Sequence, residues 1–326
     1  MKKCAVVLLS GFLGSGKTTV LLHLLGEVPP QETVVVLMNE FGRIGVDGDI
    51  IRRDGLEILE VNRGSIFCAC AKGDYLRALH TILRDYRPTV LLVEASGVAD
   101  TRDMRRDLET GRLGDFYEFR GNLCVVDGEH FIEWADLFNA VSVQVETATA
   151  VVLNKTDLMT PEARDAVLKA VRSLNPSAPL LETSFGRVPW AWALPPKETE
   201  TSDRTLPTDE EWDIFIQSRL EDEEGHLAPP DAFYAQSILW KGDGDAFREL
   251  LAGLPDDVVR AKGYFREGTG WTLFDVVHGG RISYAPLEAA PSSGENVAVF
   301  IRRREDLQEL PKKLFAAGLK VTAIRN

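Results

Sequence analysis

Residues 11 to 18 read GFLGSGKT, a match to G-x-x-x-x-G-K-[ST] set between an apolar run and a helical pattern. In that setting the backbone N–H groups of a glycine-rich turn, at the mouth of a helix, cradle a polyphosphate. Gly11, Gly14, Ser15 and Gly16 form the predicted cradle. Lys17 is expected to reach the β- and γ-oxygens and Thr18 to ligate Mg²⁺, with Thr19 next along the helix. Far downstream, AVVLNKTDL offers Asn154, Lys155 and Asp157 after a buried strand. An aspartate that accepts from the N1 and N2 hydrogens of guanine rejects adenine, which has an acceptor at N1 and no amino group at C2. Lys155 can lie along the base plane. A phosphate cradle and a guanine reader on one sheet predict GTP as the nucleotide.

Between them, LLVEASGVAD ends an apolar strand on Glu94, with Gly97 three residues on. A carboxylate there can hold Mg²⁺ directly or through water, and the Gly97 N–H can sense a γ-phosphate. Lys17, Thr18, Glu94 and Gly97 are therefore the predicted catalytic set. Val98 stands where some GTPases carry a glutamine that orients the attacking water. Slow unstimulated hydrolysis follows, with another residue, a second subunit or a partner positioning the water. Arg43, Arg102, Arg105 and Arg106 are candidates for a stabilising cation. MNEFGRIGVDGD, 38 to 49, has the glycines and carboxylates of a switch ordered by the γ-phosphate, with Asn39, Glu40 and Asp47 as its polar residues. GSIFCACAKGD, 64 to 74, places Cys68 and Cys70 one residue apart. Their residue types fit metal-binding thiolates or small apolar fillers under a loop.

These residues need a scaffold. Apolar runs AVVLLS, TVVVLMN, LEILEV, TVLLVEAS, NLCVVD, AVVLN and APLLET alternate with amphipathic patterns such as GDYLRALHTILRDY and TPEARDAVLKAVRSL. This is the signature of βαβ units and a parallel sheet covered on both faces. Thr160 is a predicted N-cap with Pro161 at the first helical position. Residues 1–185 are expected to form an α/β P-loop nucleoside-triphosphatase domain with a mostly parallel sheet. Residues 186–230 carry 11 acidic against 4 basic side chains and 6 of the 16 prolines, and read as an acidic linker lying against a domain surface. Residues 231–326 mix helices with hairpin-like strands, which predicts a smaller α+β domain with a mostly antiparallel sheet. Cys4 and Cys124 lie inside strand patterns and are expected to pack in the core.

The chain has 326 residues, 44% of them hydrophobic, enough for two cores. Its net charge of −13 argues against a general nucleic-acid or membrane surface. The apolar run after MKK is about six residues long and reads as a strand rather than a signal peptide, and no stretch reaches the ~20 residues of a membrane span. A cytoplasmic protein with reduced thiols is the expectation.

Together, GFLGSGKTT, NEFGRIGVD, EASG and NKTD resemble the CobW-type GTPases of the SIMIBI class of P-loop proteins. The resemblance extends to SLNPSAPLLETSFG, RAKGYF and VAVFIRR and covers nearly the whole chain except the acidic linker. It implies a metallochaperone or metalloenzyme activator that moves zinc, cobalt or iron, or supports cobalamin-dependent systems, with GTP hydrolysis gating release to a client protein. The client would be a metalloenzyme or cobalamin-related protein, and the chain a monomer or homodimer. The family's metal motif is C-x-C-C, and here at least one thiolate is lost whichever way the motif is aligned. Cys68, Cys70 and Glu40 would still give a three-ligand site with an open position. The family's histidine-rich linker is also missing, since this one holds only His226. The alternative is a regulatory GTPase or assembly factor for a metallo- or corrinoid enzyme that carries no metal on its own cysteines. A P-loop kinase is disfavoured by NKTD.

Overall fold

The computed structural model describes residues 2–39, 57–61, 69–97, 101–109, 112–221, 231–277, 281–287, 291, 294–304, 306 and 308–325. Two units meet in sequence between Asp231 and Ala232. In the first, chain order runs β1 (Cys4–Ser10), α1 (Lys17–Gly26), β2 (Val34–Asn39), β3 (Glu57–Val61), α2 (Ala69–Thr81), β4 (Val90–Glu94), α3 (Thr101–Glu109) and β5 (Tyr117–Asp127). It continues with α4 (Phe131–Leu137), α5 (Asn139–Glu146), β6 (Ala150–Asn154), α6 (Pro161–Leu174), β7 (Leu180–Glu182), α7 (Trp190–Ala193) and α8 (Asp209–Glu221). The strands order as β3-β2-β4-β1-β5-β6-β7, and every pairing among them is parallel.

All seven residues of β1 are buried, because its side chains alternate between two cores. Cys4, Val6 and Leu8 face Leu76, Leu79, Met104 and Leu108 of α2 and α3. Ala5, Val7 and Leu9 face Val20, Leu21 and Leu24 of α1. A strand covered this way has no polar face, which is why its run reads as continuously apolar. It places the C-terminal end of β1, where Gly11 begins, at the middle of the sheet. At α6, Thr160 Oγ1 accepts from the Ala163 N–H at 3.2 Å with Pro161 at the first position, the expected cap. Cys4 and Cys124 are buried and unbridged, and burial pushes the Cys124 thiol up to about 12.

Residues 186–221, expected as part of a linker, contribute to the core of this first unit. Trp212 of α8 is 1% exposed, its Nε1 donates to the Leu76 carbonyl at 2.9 Å, and its ring stacks on His80 at 4.7 Å. Arg219 pairs with Asp107 of α3 at 2.6 Å. The acidic residues of α8 hid a buried stripe of Trp212 and Ile216 spaced four apart.

The second unit holds β8 (Tyr234–Lys241), α9 (Gly244–Ala252), β9 (Val258–Glu267), β10 (Gly270–Val277), β11 (Arg281–Leu287), β12 (Asn296–Arg302), α10 (Glu309–Ala316) and β13 (Lys320–Arg325). Its sheet, β11-β10-β9-β12-β8-β13, is antiparallel at each pairing. Trp240, Phe247, Phe265 and Phe274 fill the core against α9. Arg302 is buried and held bidentately by Asp257, with Glu309 as a further partner.

Candidate functional site

The turn from β1 into α1 is fixed by backbone that only glycine accommodates cheaply. Gly16 has φ 101°, and a Cβ there would lie 2.4 Å from Asn154 Nδ2. A Cβ on Gly11 would lie 2.2 Å from the Val125 carbonyl oxygen of the neighbouring strand. Both positions therefore need close approach as well as unusual dihedrals. Within the turn Gly14 has φ 79° and Ser15 is fully buried, its N–H donating to the Phe12 carbonyl at 3.2 Å. Lys17 Nζ folds back over the turn and donates to the Gly11 and Phe12 carbonyls at 3.0 and 3.3 Å. Thr19 is exposed on the next turn.

Thr18 Oγ1 donates to Glu94 Oε1 at 2.9 Å, so the hydroxyl and the carboxylate predicted to share a cation meet across the β1–β4 edge. Gly97 presses against the phosphate loop, since a Cβ on it would fall 2.8 Å from the Leu13 nitrogen. The Gly97 carbonyl accepts from Gln144 Nε2 of α5 at 3.1 Å. A second buried connection runs from Ser10 Oγ to Asn122 Oδ1 at 2.7 Å and from Asn122 Nδ2 to Thr101 Oγ1 at 2.9 Å. It ties the end of β1 to the start of α3, the helix that follows Gly97.

The NKTD residues converge on the same end of the sheet, each differently. Asn154 is buried. Its Nδ2 donates to the Ser15 carbonyl at 3.0 Å and its Oδ1 accepts from the Gly186 N–H at 3.0 Å. It joins the phosphate loop to the loop after β7 rather than presenting its amide outward. Lys155, at φ 61°, pairs with Asp127 at 2.6 Å. Asp157 is exposed, and its backbone N–H donates to Ser184 Oγ at 3.1 Å. Asp127 had no sequence signal beyond a carboxylate at a strand end. Gln144 and Asn122 had none either, and Ser184 had only its place in SLNPSAPLLETSFG.

Several expected residues lie outside the described ones: Glu40, Asp47, Cys68, Val98 and Arg43. Asn39 closes β2 opposite Val61, and Cys70 falls in the first turn of α2, by backbone placement alone. Arg105, a candidate stabilising cation, pairs with Glu109 at 3.1 Å and lies over the Phe119 ring. Asp127, Glu129 and His130 bring three potential ligand atoms within 4.8 Å of one another. The Lys155 ammonium already balances Asp127 there, so the trio reads as support for Lys155.

The sequence profile described as CobW/HypB/UreG, nucleotide-binding domain, matches residues 5–182, more than half of the chain. The chain belongs to the CobW/HypB/UreG family. Within that family the chain is similar to the zinc chaperone YeiR of Escherichia coli K12, at 32% identity over 183 residues, covering 56% of this chain and 55% of that protein. The chain thus spans about half the length of this relative. It is also similar to the zinc chaperone CobW of Sinorhizobium sp, at 28% identity over 302 residues, covering 80% and 81% of the two chains. A solved structure, Zn(II)-bound YjiA GTPase from E. coli, aligns over 97% of this chain and 99% of that one, at 23% identity and a TM-score of 0.45. The CobW/HypB/UreG match ends at residue 182, between the NKTD segment and the Ser184–Gly186 loop that buttresses it.

Proposed function

We propose that the chain is a GTP-hydrolysing metallochaperone or metalloenzyme activator, which couples its nucleotide state to delivery of a metal or metal cofactor to a client protein. One observation carries the nucleotide part. Asn154 links Ser15 of the phosphate loop to Gly186, in the same loop as the Ser184 that holds the Asp157 N–H, so the phosphate cradle and the guanine reader are joined at the carboxyl ends of parallel strands in this reading. Gly11, Gly14, Ser15, Gly16, Lys17, Thr18 and Thr19 take the triphosphate in this reading, and Asn154, Lys155 and Asp157 serve the base. Thr18 and Glu94 offer two hard oxygens side by side, a donor pair suited to Mg²⁺. The chemistry a bound Mg²⁺ supplies there is neutralisation of charge on the β- and γ-phosphate oxygens. The chain's own part is to hold Lys17 over the loop, Thr18 against Glu94, and the Gly97 backbone against Leu13.

The cargo reading draws on the relatives named zinc chaperones and on Cys68 and Cys70 just ahead of and within α2. A transition metal, with zinc favoured by those names, is cargo in this scheme. Glu40, Asn39 and Asp47 belong to the switch that hydrolysis would relax. Useful coupling requires the GTP-ordered state to bind metal or client better than the relaxed one. Anaerobic zinc titration of the full chain, with and without a non-hydrolysable GTP analogue, tests this. Stoichiometric, analogue-dependent binding that Cys68→Ala and Cys70→Ala abolish is the expected result. Zinc binding indifferent to both thiols and nucleotide would leave a regulatory GTPase instead. GTP titration with magnesium tests the foundation, and a chain that ignores GTP fails it.

A further inference from the structure

Among the described non-glycine residues, those with positive φ are Arg87, Lys155 and Phe185; Lys155 lies two residues before Asp157, and Phe185 follows the Ser184 whose Oγ accepts from the Asp157 N–H. Phe185 has φ 58° and its ring is 64% exposed. A single exposed apolar side chain is ordinary on a protein surface. A bulky residue held in the left-handed region is not, because its Cβ crowds the backbone where glycine or asparagine would sit without strain. Such positions persist where their neighbours over-determine them, and they collect at ligand sites.

The neighbours here do over-determine it. Ser184 Oγ accepts from the Asp157 N–H and contacts Thr156 Oγ1 at 2.9 Å. On the other side the Gly186 N–H is held by Asn154 Oδ1, and Gly186 packs so closely on α1 that a Cβ would lie 2.8 Å from the Val20 nitrogen. The backbone at Phe185 is thus pinned between Ser184, which holds the Asp157 N–H, and Gly186, which packs on the phosphate-loop helix. Arg187 lies over the ring, its guanidinium carbon 5.7 Å from the ring centroid.

We propose that Phe185 is the platform on which the nucleotide's purine stacks, with the Arg187 guanidinium backing the ring. This rests on the guanine-nucleotide reading above and adds to it. Asp157 reads one edge of the base and Lys155 can lie along one face, which leaves the opposite face without a partner in that reading. An aromatic ring covers that face and is tolerant of base identity, since every purine presents a π-face. Phe185 thus supplies affinity and Asp157 supplies choice.

The test is equilibrium titration of the full chain with magnesium and GDP or IDP, whose hypoxanthine lacks the 2-amino group that Asp157 reads. Phe185→Ala should weaken both nucleotides by about the same factor, roughly tenfold or more. Phe185→Tyr should restore both. Phe185→Leu, which keeps the bulk and loses the π-face, should behave like the alanine variant while its melting temperature stays at the wild-type value. Asp157→Ala, by contrast, should erase the preference for GDP over IDP. Alanine and leucine variants that bind both nucleotides within twofold of wild type overturn the stacking role. So does a loss confined to GDP, which would make Phe185 a prop for Asp157. Wild-type protein that binds neither nucleotide overturns the guanine reading itself, and this assignment with it.

Discussion

The side-chain amide of Asn154 donates to the backbone carbonyl of Ser15 across 139 positions of sequence, at 3.0 Å and fully buried. Its oxygen accepts from the Gly186 N–H at the same distance. Asn154→Ala leaves a buried carbonyl and a buried N–H without this partner, which should cost about 2 kcal/mol in denaturant unfolding. Asn154→Asp keeps the acceptor for Gly186 but sets a carboxylate against the Ser15 carbonyl. It should weaken GTP binding more than the alanine change does, as a nucleotide titration would show.

The Thr18 hydroxyl and Glu94 carboxylate predict a division between binding and turnover. Glu94→Gln keeps the shape of the side chain and removes its charge. Hydrolysis measured in single turnover should fall about a hundredfold, the scale on which losing one transition-state contact acts. Binding of GDP in the presence of a chelator should stay within a few fold of wild type. Equal losses in both assays would place Glu94 in the architecture of the loop alone.

Trp212 gives a stability prediction far from the nucleotide. Its ring is buried against His80 and its Nε1 donates to the Leu76 carbonyl. Truncation to alanine should lower unfolding free energy by about 3–5 kcal/mol, as for other large core aromatics. Trp212→Phe keeps most of the apolar area and loses the hydrogen bond, and should cost about 1–2 kcal/mol. Urea unfolding of the two variants checks both.

Glu118 of β5 predicts an acid limit. Burial pushes its carboxyl up, but the Lys197 ammonium at 2.6 Å and the Glu200 N–H at 3.2 Å outweigh that and hold it below its ordinary value of 4.5. The unfolded chain therefore binds this proton more readily than the folded one. The stabilising contribution is complete above the ordinary value and is lost as pH falls through the lowered folded value. The Glu200 N–H, which donates to this carboxylate, should become open to amide exchange in that acid window. In Glu118→Gln, which also loses the charge that holds the Lys197 ammonium, it should exchange more readily at neutral pH as well.

The seven parallel strands and the phosphate turn were legible in the sequence, because central strands such as β1 and β4 are buried on both faces and Gly11 and Gly16 each answer to a close neighbour. Much of the site's support was not. Asp127, Gln144 and Asn122 act through side chains brought together by pairing of strands and helices distant in sequence, and no local spacing encodes such meetings. Strand β13 carries little local signal, because KVTAIR is short and alternates weakly and its partner β8 lies some eighty residues earlier. In α8 the acidic surface outvoted two buried positions, so a core helix read as a connector.

That helix has a consequence for biosynthesis. Leu76 and Trp212 are 136 positions apart, so on the ribosome the apolar flank of α2 emerges long before the segment that covers it. Throughout that interval the nascent nucleotide-binding portion carries an open greasy face, a natural target for holding factors and for aggregation. A recombinant fragment cut at residue 185 would keep that exposure permanently, whereas one extending through residue 221 would retire it.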